Sequence, residues 1–209
     1  MKTLIKCLLL TLLFTSCNSQ TIKSEFIYSI YNSTKLTNTS ITKTVGRVTV
    51  TYPNNLNSYF QNVIDKYVTE DLKRTDFCEG SDGVLGFEYE VRFYNNKILS
   101  IHKIEYDDYC EFLNNERYSS INLFYSDGQI YSMGFDFNSE ALKSTINTAI
   151  KNLPLAEGCE LEYNYETSVI GLLIDDKSSV KCFLVASKIC QTEFDIELYE
   201  NFLVYQKVE

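Results

Sequence analysis

Apolar and polar residues alternate along several short stretches of the chain, which is the pattern of half-buried β-strands. Residues 24–31 (SEFIYSIY) and 46–53 (GRVTVTYP) predict the first two strands, and the Ser-, Thr- and Asn-rich residues 32–44 between them predict a loop. Two longer alternating segments are each interrupted by a turn signal, Asn95-Asn96 in one and Asp127-Gly128 in the other. Each of these segments predicts a β-hairpin.

Two other segments carry apolar residues at spacings of three and four, which is the period of an amphipathic helix. The first is residues 55–74, and the second is capped by Asn138 or Ser139 and stops at Pro154. Aromatic residues on the first helix are expected to belong to the core rather than to a ligand platform. They are Tyr59, Phe60 and Tyr67.

The last third of the chain predicts strands near residues 168–174, 180–186 and 202–208. The complete order of elements predicts an α+β fold, a largely antiparallel sheet of hairpins with two amphipathic helices packed on it. We expect one such domain over residues 24–209, with a point of subdivision near residue 154.

The first 20 residues, MKTLIKCLLLTLLFTSCNSQ, have a positive start and a short apolar run. The run is about half the roughly 20 residues that a membrane-spanning helix needs, so it predicts a signal peptide over residues 1–16. The segment LFTSC resembles the lipobox of bacterial lipoproteins, in which the cysteine is acylated and becomes the first mature residue. We therefore expect a lipid on Cys17, a leader over residues 17–23, and anchoring in the bacterial envelope with the body outside the cytoplasm. The alternative is a secreted protein without a lipid.

The charge of the chain excludes some partners. The sequence has 19 basic and 28 acidic residues, and removing Lys2 and Lys6 with the signal leaves 17 against 28, a net charge of −11. Such a surface repels phosphate backbones, so we expect no nucleic-acid partner.

Five cysteines follow Cys17, an odd number, so at least one stays a thiol within a single chain. We expect Cys78 to pair with Cys110, and Cys159 to pair with either Cys182 or Cys190. The sequence has no Cys-x-x-Cys motif, so no zinc ribbon or thioredoxin motif is predicted.

Signals of catalysis are weak. His102 is the only histidine, and neither a nucleophile elbow nor a cysteine-protease signature is present, so we expect a histidine on the surface of the sheet. The acidic stretch EYDDYCE lacks the spacing of a calcium loop and predicts a solvated loop. We expect no metal and no cofactor.

The order of elements from about residue 48 to residue 153 resembles a family of bacterial extracytoplasmic domains. These domains occur in the lysozyme-sensing anti-sigma factor and beside the catalytic domain of a peptidoglycan deacetylase. The matching segments are VTVTYP, LNSYFQNVIDKYV, YEVRFYNNKILSIHKIEYDDY, YSSINLFYSDGQIYSMGFDF and LKSTINTAIKNL. The family's histidine-containing segment after the strand near residues 98–106 is replaced here by DDYCEFLNNERY. The resemblance implies a non-catalytic α+β domain that binds or senses envelope components.

These observations favour a lipid-anchored binding protein rather than an enzyme. Its expected partner is an envelope protein or a glycan, and the most specific form of the hypothesis is a cell-wall hydrolase that the protein senses or inhibits. The predicted binding loop contains Asp107, Asp108, Glu111 and Tyr118. The alternative is an envelope hydrolase with paired carboxylates. Its candidates are Glu88, Glu90, Asp107 and Asp108.

Overall fold

The computed structural model of the protein describes residues 19–32, 34–74, 84–107, 115–153, 159, 168–175, 177–186 and 190–209. The predicted α+β fold is confirmed, with a seven-stranded sheet, a three-stranded sheet and three α-helices in this part of the chain.

The strands of the large sheet are β1 (Thr39–Val45), β2 (Val48–Asn54), β3 (Leu85–Tyr94), β4 (Ile98–Asp107), β5 (Asn115–Ser126), β6 (Gln129–Phe135) and β10 (Leu203–Lys207). They lie in the order β1-β2-β3-β4-β5-β6-β10. The pair β2–β3 is parallel, and every other neighbouring pair is antiparallel.

Each face of the large sheet has its own core. Helix α2 (Ser58–Asp71) covers one face, where Phe60 and Ile64 are fully buried against the sheet. The opposite face is covered by three elements, namely α1 (residues 19–32), α3 (Glu140–Asn152) and the small sheet. The two predicted hairpins are present, with turns at the expected residues.

The helix α1 replaces the first predicted strand, so that prediction was wrong. Phe26 and Ile30 are fully buried, whereas Tyr28 between them is 66% exposed. With the partly buried Ile22, the inward positions repeat every four residues, which is the helical period. The apparent alternation of apolar residues arises because Tyr28, whose side chain points outward, is an aromatic residue.

Helix α1 also takes up most of the predicted leader, because residues 19–23 belong to it. The helix is bonded to the large sheet through Glu25, which accepts hydrogen bonds from Lys97 Nζ at 2.6 Å and Ser126 Oγ at 2.6 Å. These bonds and the burial of Phe26 make α1 part of the body.

Two strands were not predicted. β1 lies mostly in the segment predicted to be a loop, and all seven of its residues are exposed, so no periodic burial marks it as a strand. β9 (Gln191–Asp195) completes the small sheet, whose order is β7 (Val169–Ile174), β8 (Val180–Val185) and β9. After β9 the chain returns to the large sheet as β10.

The small sheet is joined to the segment after α3 by a disulfide between Cys159 and Cys190, whose Cα atoms are 5.6 Å apart. This is one of the two pairings expected for Cys159. Cys182 is buried and free, while Cys78 and Cys110 lie outside the described residues. A disulfide is compatible with an oxidising compartment. Within the described ranges, the structure contains no helix long and apolar enough to cross a bilayer.

The free Cys182 and the disulfide-bonded Cys159 and Cys190 should behave differently toward alkylating reagents. Burial raises the pKa of Cys182, so its thiolate is scarce and we expect alkylation only after unfolding. Peptide mapping without reduction should yield a cross-linked pair containing Cys159 and Cys190. Equal labelling rates for Cys182 in folded and unfolded protein would contradict this.

Candidate functional site

The neighbouring strands β5 and β6 separate before either of them ends. β5 pairs with β4 from Asn115 to Phe124, but it pairs with β6 only from Asn122 to Ser126. Beyond Met133, β6 stays paired with β10, up to Phe135 opposite Leu203. The separation leaves a gap beside residues 118–121 of β5.

This gap is a cleft of about 510 Å³, which we call the β5–β6 cleft. Its described walls carry hydroxyl groups, aromatic rings and aliphatic side chains, with no Asp, Glu, Lys or Arg among them. Several are consecutive residues, whose side chains point to opposite faces of a sheet, so residues of both faces contribute to the walls. The lining residues are Tyr118, Ser119, Ser120, residues 132–135, Phe137, Ile170, Gly171, Leu172, Phe183 and residues 204–206.

The small sheet forms one wall because it is bonded to the large sheet through buried polar groups. Asn122 Nδ2 donates to the carbonyl of Leu172 at 2.8 Å, and the amide of Ile174 donates to Ser100 Oγ at 3.0 Å. Ser100 Oγ in turn donates to Asn122 Oδ1 at 2.7 Å. Satisfied buried groups of this kind fix the relative position of the two sheets.

Gly171 permits this close packing. A Cβ atom at this position would overlap the ring of Phe183 and lie 2.9 Å from Ser120 Oγ. Only a residue without a side chain fits here, so this glycine is required by proximity rather than by backbone conformation.

His102 lies behind the wall of the cleft and not on the surface of the sheet, so the surface prediction was wrong. Its ring centroid is 5.6 Å from that of Tyr118 and 5.1 Å from that of Phe183, and both of these residues line the cleft. The residue is 9% exposed, and its Nε2 atom has no hydrogen-bond partner among the described residues. Burial lowers the pKa of His102, while the carboxylate of Glu90, 3.8 Å from Nδ1, acts against this shift.

Stability should therefore fall as His102 becomes protonated in the unfolded chain. The folded pKa lies below the ordinary value of 6.5, so the unfolded state binds more protons at pH values between the two. The contribution of His102 is complete above pH 6.5 and decreases as the pH falls toward the folded pKa. Because the chain has one histidine, NMR titration reports this group directly.

The charged groups that face His102 are Glu90, Arg92 and Glu193. His102→Phe is the matched variant, and its free energy of unfolding should vary less between pH 7.5 and 5.5 than that of the wild type. An imidazole pKa at or above 6.5 in the folded protein would contradict the assignment.

Polar contacts continue from the cleft to β9. Gln191 Nε2 donates to the hydroxyl of Tyr118 at 2.7 Å, and this hydroxyl donates to Glu116. Burial is the largest cause that raises the pKa of Tyr118, so the phenol stays protonated. Arg92 Nη2 is 2.7 Å from Glu193 Oε2, an ion pair that joins β3 to β9.

A second polar cluster lies on the α2 face of the large sheet. The Asp71 carboxylate, at the end of α2, accepts hydrogen bonds from Tyr89 Oη and from Lys103 Nζ, the latter at 2.9 Å. Burial and the bond to Asp71 raise the pKa of Tyr89. Lys103 Nζ also lies 4.9 Å from the ring centroid of Phe87. This cluster does not line the β5–β6 cleft and holds the end of α2 on the sheet.

The predicted binding residues have different positions. Tyr118 lies in strand β5 rather than in a loop, and it lines the cleft. Asp107 is the last residue of β4, while Asp108 and Glu111 lie outside the described residues, as does Cys17.

Two carboxylates of the hydrolase alternative, Glu88 and Glu90, lie away from the cleft, whereas Asp108 lies outside the described residues. Glu88 accepts a hydrogen bond from Tyr106 Oη at 2.9 Å, and Glu90 lies 3.7 Å from Arg92 Nη1. Neither residue is among those that line the cleft. In the part of the chain that the structure describes, no group of three or more His, Cys, Asp or Glu could hold a metal ion. The hydrolase alternative stays a prediction.

Most of the cleft could not be predicted from the sequence. Ser119, Ser120 and Phe135 were recognised only as parts of a hairpin, and Gly171 only as part of a strand. Nothing in their local pattern signals that β5 and β6 separate, because the separation depends on how the small sheet packs. The separation is visible in the structure as the unequal length of the paired strands, 12 residues in β5 and 7 in β6.

No family model matches the sequence, and a search of the curated proteins finds no significant relative.

Proposed function

We propose that this protein is a lipid-anchored binding protein of the bacterial envelope that holds part of a partner molecule in the β5–β6 cleft. The observation that carries the proposal is the cleft itself, a preformed recess with uncharged walls in an otherwise acidic protein. Binding sites are typically concave, mostly apolar and supplied with a few polar groups that orient the ligand.

The anchor is proposed from the amino-terminal segment. A short apolar run ending in LFTSC supports acylation of Cys17, and two or more acyl chains would hold the protein durably at a membrane. The disulfide between Cys159 and Cys190 is compatible with a body outside the cytoplasm.

The charge of the body favours a basic partner. A net charge of −11 after signal removal would accelerate encounter with a cation-rich protein and repel an anionic one. Muramidases of the lysozyme type are basic, so a cell-wall hydrolase is the partner we propose, with the protein acting as its sensor or inhibitor.

Mass spectrometry of the amino-terminal peptide tests the anchor. We expect a peptide that begins at Cys17 and carries acyl mass, and we expect Cys17→Ala to abolish that mass. A mature protein that begins elsewhere, with an unmodified thiol at residue 17, would contradict the proposal.

Titration of the full-length, detergent-solubilised protein with lysozyme and with soluble peptidoglycan fragments tests binding. We expect saturable binding by at least one of them, and the lysozyme affinity should fall with added salt. Gly134→Leu places a larger side chain at a wall position whose Cβ would meet nothing within 4 Å, and it should weaken binding. Gln129→Leu, on the same strand but outside the lining, is the control. Failure of every ligand, or equal binding by both variants, would count against the cleft.

A further inference from the structure

The backbone of β5 presents to the cleft hydrogen-bonding groups with which no described strand pairs. The amide of Tyr125 donates to the carbonyl of Lys97, which is on the β4 side of β5. Peptide groups alternate in direction along an antiparallel strand. The amide and carbonyl groups of Ser119 and Ile121 therefore also point toward β4. The amide and carbonyl groups of Tyr118 and Ser120 therefore point away from β4, into the gap that β6 has left.

The opposite wall of the gap has the same property. The amide of Asp136 donates to the carbonyl of Phe202, and the amide of Val208 donates to the carbonyl of Ile130. The amide and carbonyl groups of the even-numbered residues of β6 therefore point toward β10. By alternation, Phe135 points its peptide groups toward β5. Among the described residues, no strand pairs with either edge at this level.

A gap in the plane of a sheet, with hydrogen-bonding edges on both sides, matches one kind of molecule. From this geometry we propose that the β5–β6 cleft binds an extended polypeptide segment, which pairs as an added strand with Tyr118 and Ser120 of β5. This inference rests on the proposed function and specifies its ligand. An added strand satisfies main-chain groups at regular spacing, which a glycan cannot reproduce.

The walls also determine the side chains of the segment. Successive side chains of an extended peptide point to opposite faces of a sheet. One set would contact Met133, Phe135 and Phe183, which favours apolar residues, and the other would contact Ser119, Ser132 and Val204, which accept small or hydroxyl-bearing residues. No described lining residue offers a charge to pair with a charged side chain, so the bound segment is uncharged. Basic residues of the partner lie outside the segment, where the acidic body attracts them.

A displayed library of ten-residue peptides, selected on the full-length protein and counter-selected on Gly134→Leu, supplies the probe. We expect the enriched peptides to have alternating apolar and small residues and to lose binding when Gly134 is replaced by leucine. Methylating single backbone nitrogens of an enriched peptide should weaken binding at least tenfold at alternate positions and much less between them, because only alternate amides face β5.

Hydrogen exchange on the wild-type protein provides an independent measurement. The amides of Tyr118 and Ser120 should become protected when the peptide binds, whereas those of Ser119 and Ile121 are already protected by β4. Ser120→Pro removes an edge donor without removing a bond to β4, and it should abolish peptide binding while Ser120→Ala retains it.

The outcomes separate the two proposals. Binding of glycan fragments with no enriched peptide would overturn this inference and leave the cleft as a binding site. Peptides whose binding is insensitive to the position of methylation would also overturn it. Absence of any ligand from the cleft would overturn both.

Discussion

Replacing Gly171 with alanine should destabilise the protein by about 3 kcal/mol, the upper part of the range for overpacking a well-packed core. The added Cβ would overlap the Phe183 ring and press on Ser120 Oγ. Both neighbours are held in place, since Phe183 is buried against His102 and Ser120 belongs to the paired strand β5. Relief therefore requires the small sheet to move away from the large one, which would expose part of their shared core.

Denaturant unfolding measures this effect, and Gly134→Ala is the matched control. Gly134 is also a strand glycine, but a Cβ there would meet nothing within 4 Å, so we expect a change below about 0.5 kcal/mol for a substitution without new contacts. Combining Gly171→Ala with Phe183→Leu should cost less than the sum of the two single changes, because the smaller side chain makes room. Equal effects of the two alanine variants would refute the packing at Gly171.

Replacing Asp71 with alanine should cost about 3 to 4 kcal/mol, as expected when one partner of a buried ion pair is removed. The side chain of Asp71 is 10% exposed, and that of Lys103 is 19% exposed. Without the carboxylate, the ammonium of Lys103 and the hydroxyl of Tyr89 would lose their partner in a largely dry environment. The carboxyl end of α2 would then separate from the sheet.

A double-mutant cycle with Lys103→Met separates the cost of the isolated charge from the loss of the pair. The double variant should be more stable than Asp71→Ala alone, because the unpaired ammonium is gone and an apolar side chain of similar length remains. Lys97→Ala provides a surface comparison, since the Lys97–Glu25 pair is more exposed and should contribute less than about 1 kcal/mol. A loss at Asp71 as small as at Lys97 would show that the cluster is not structurally important.

The hairpins were predictable because their information is local. Asp127-Gly128 supplies two consecutive residues with positive φ, 48° and 74°, which the tight turn requires, and the flanking strands alternate in hydrophobicity. The signal that predicts helix α3 is equally local, since Ser139 is its N-cap and Ser139 Oγ accepts a hydrogen bond from the Leu142 amide. These elements could be predicted without knowledge of their neighbours.

Elements whose character depends on distant contacts could not be predicted in this way. The segment of α1 has Phe26, Tyr28 and Ile30 in alternation, and only the packing of Phe26 against Phe124, with ring centroids 5.5 Å apart, shows which of them face inward. β1 is exposed on both faces, so its sequence shows no alternation of apolar and polar residues from which a strand could be predicted. Its position at the edge of the sheet follows from its pairing with β2.

The candidate site belongs to this second group. Tyr118 was singled out with an acidic loop, yet its importance in the structure comes from lying where β6 leaves β5 and where Phe183 approaches from the small sheet. His102 was predicted to lie on the surface of the sheet because the sequence offers no catalytic signature that would involve it. Burial comes from β8, a strand about 80 residues later in the chain, as the residue numbers of His102 and Phe183 show.

The short distance along the chain between residue 17 and helix α1 limits how far the protein could extend from a membrane. If Cys17 carries the lipid, one residue lies between it and residue 19, the first helical residue that the structure describes, and two Cα–Cα steps of a fully extended chain span about 7 Å. Most of what could have been a flexible stalk is helix, and that helix is fixed to the sheet through Phe26 and Glu25. The body would rest almost directly on the lipid headgroups in a restricted orientation. A partner would then be captured in the layer next to the bilayer, not in the outer depth of the cell wall.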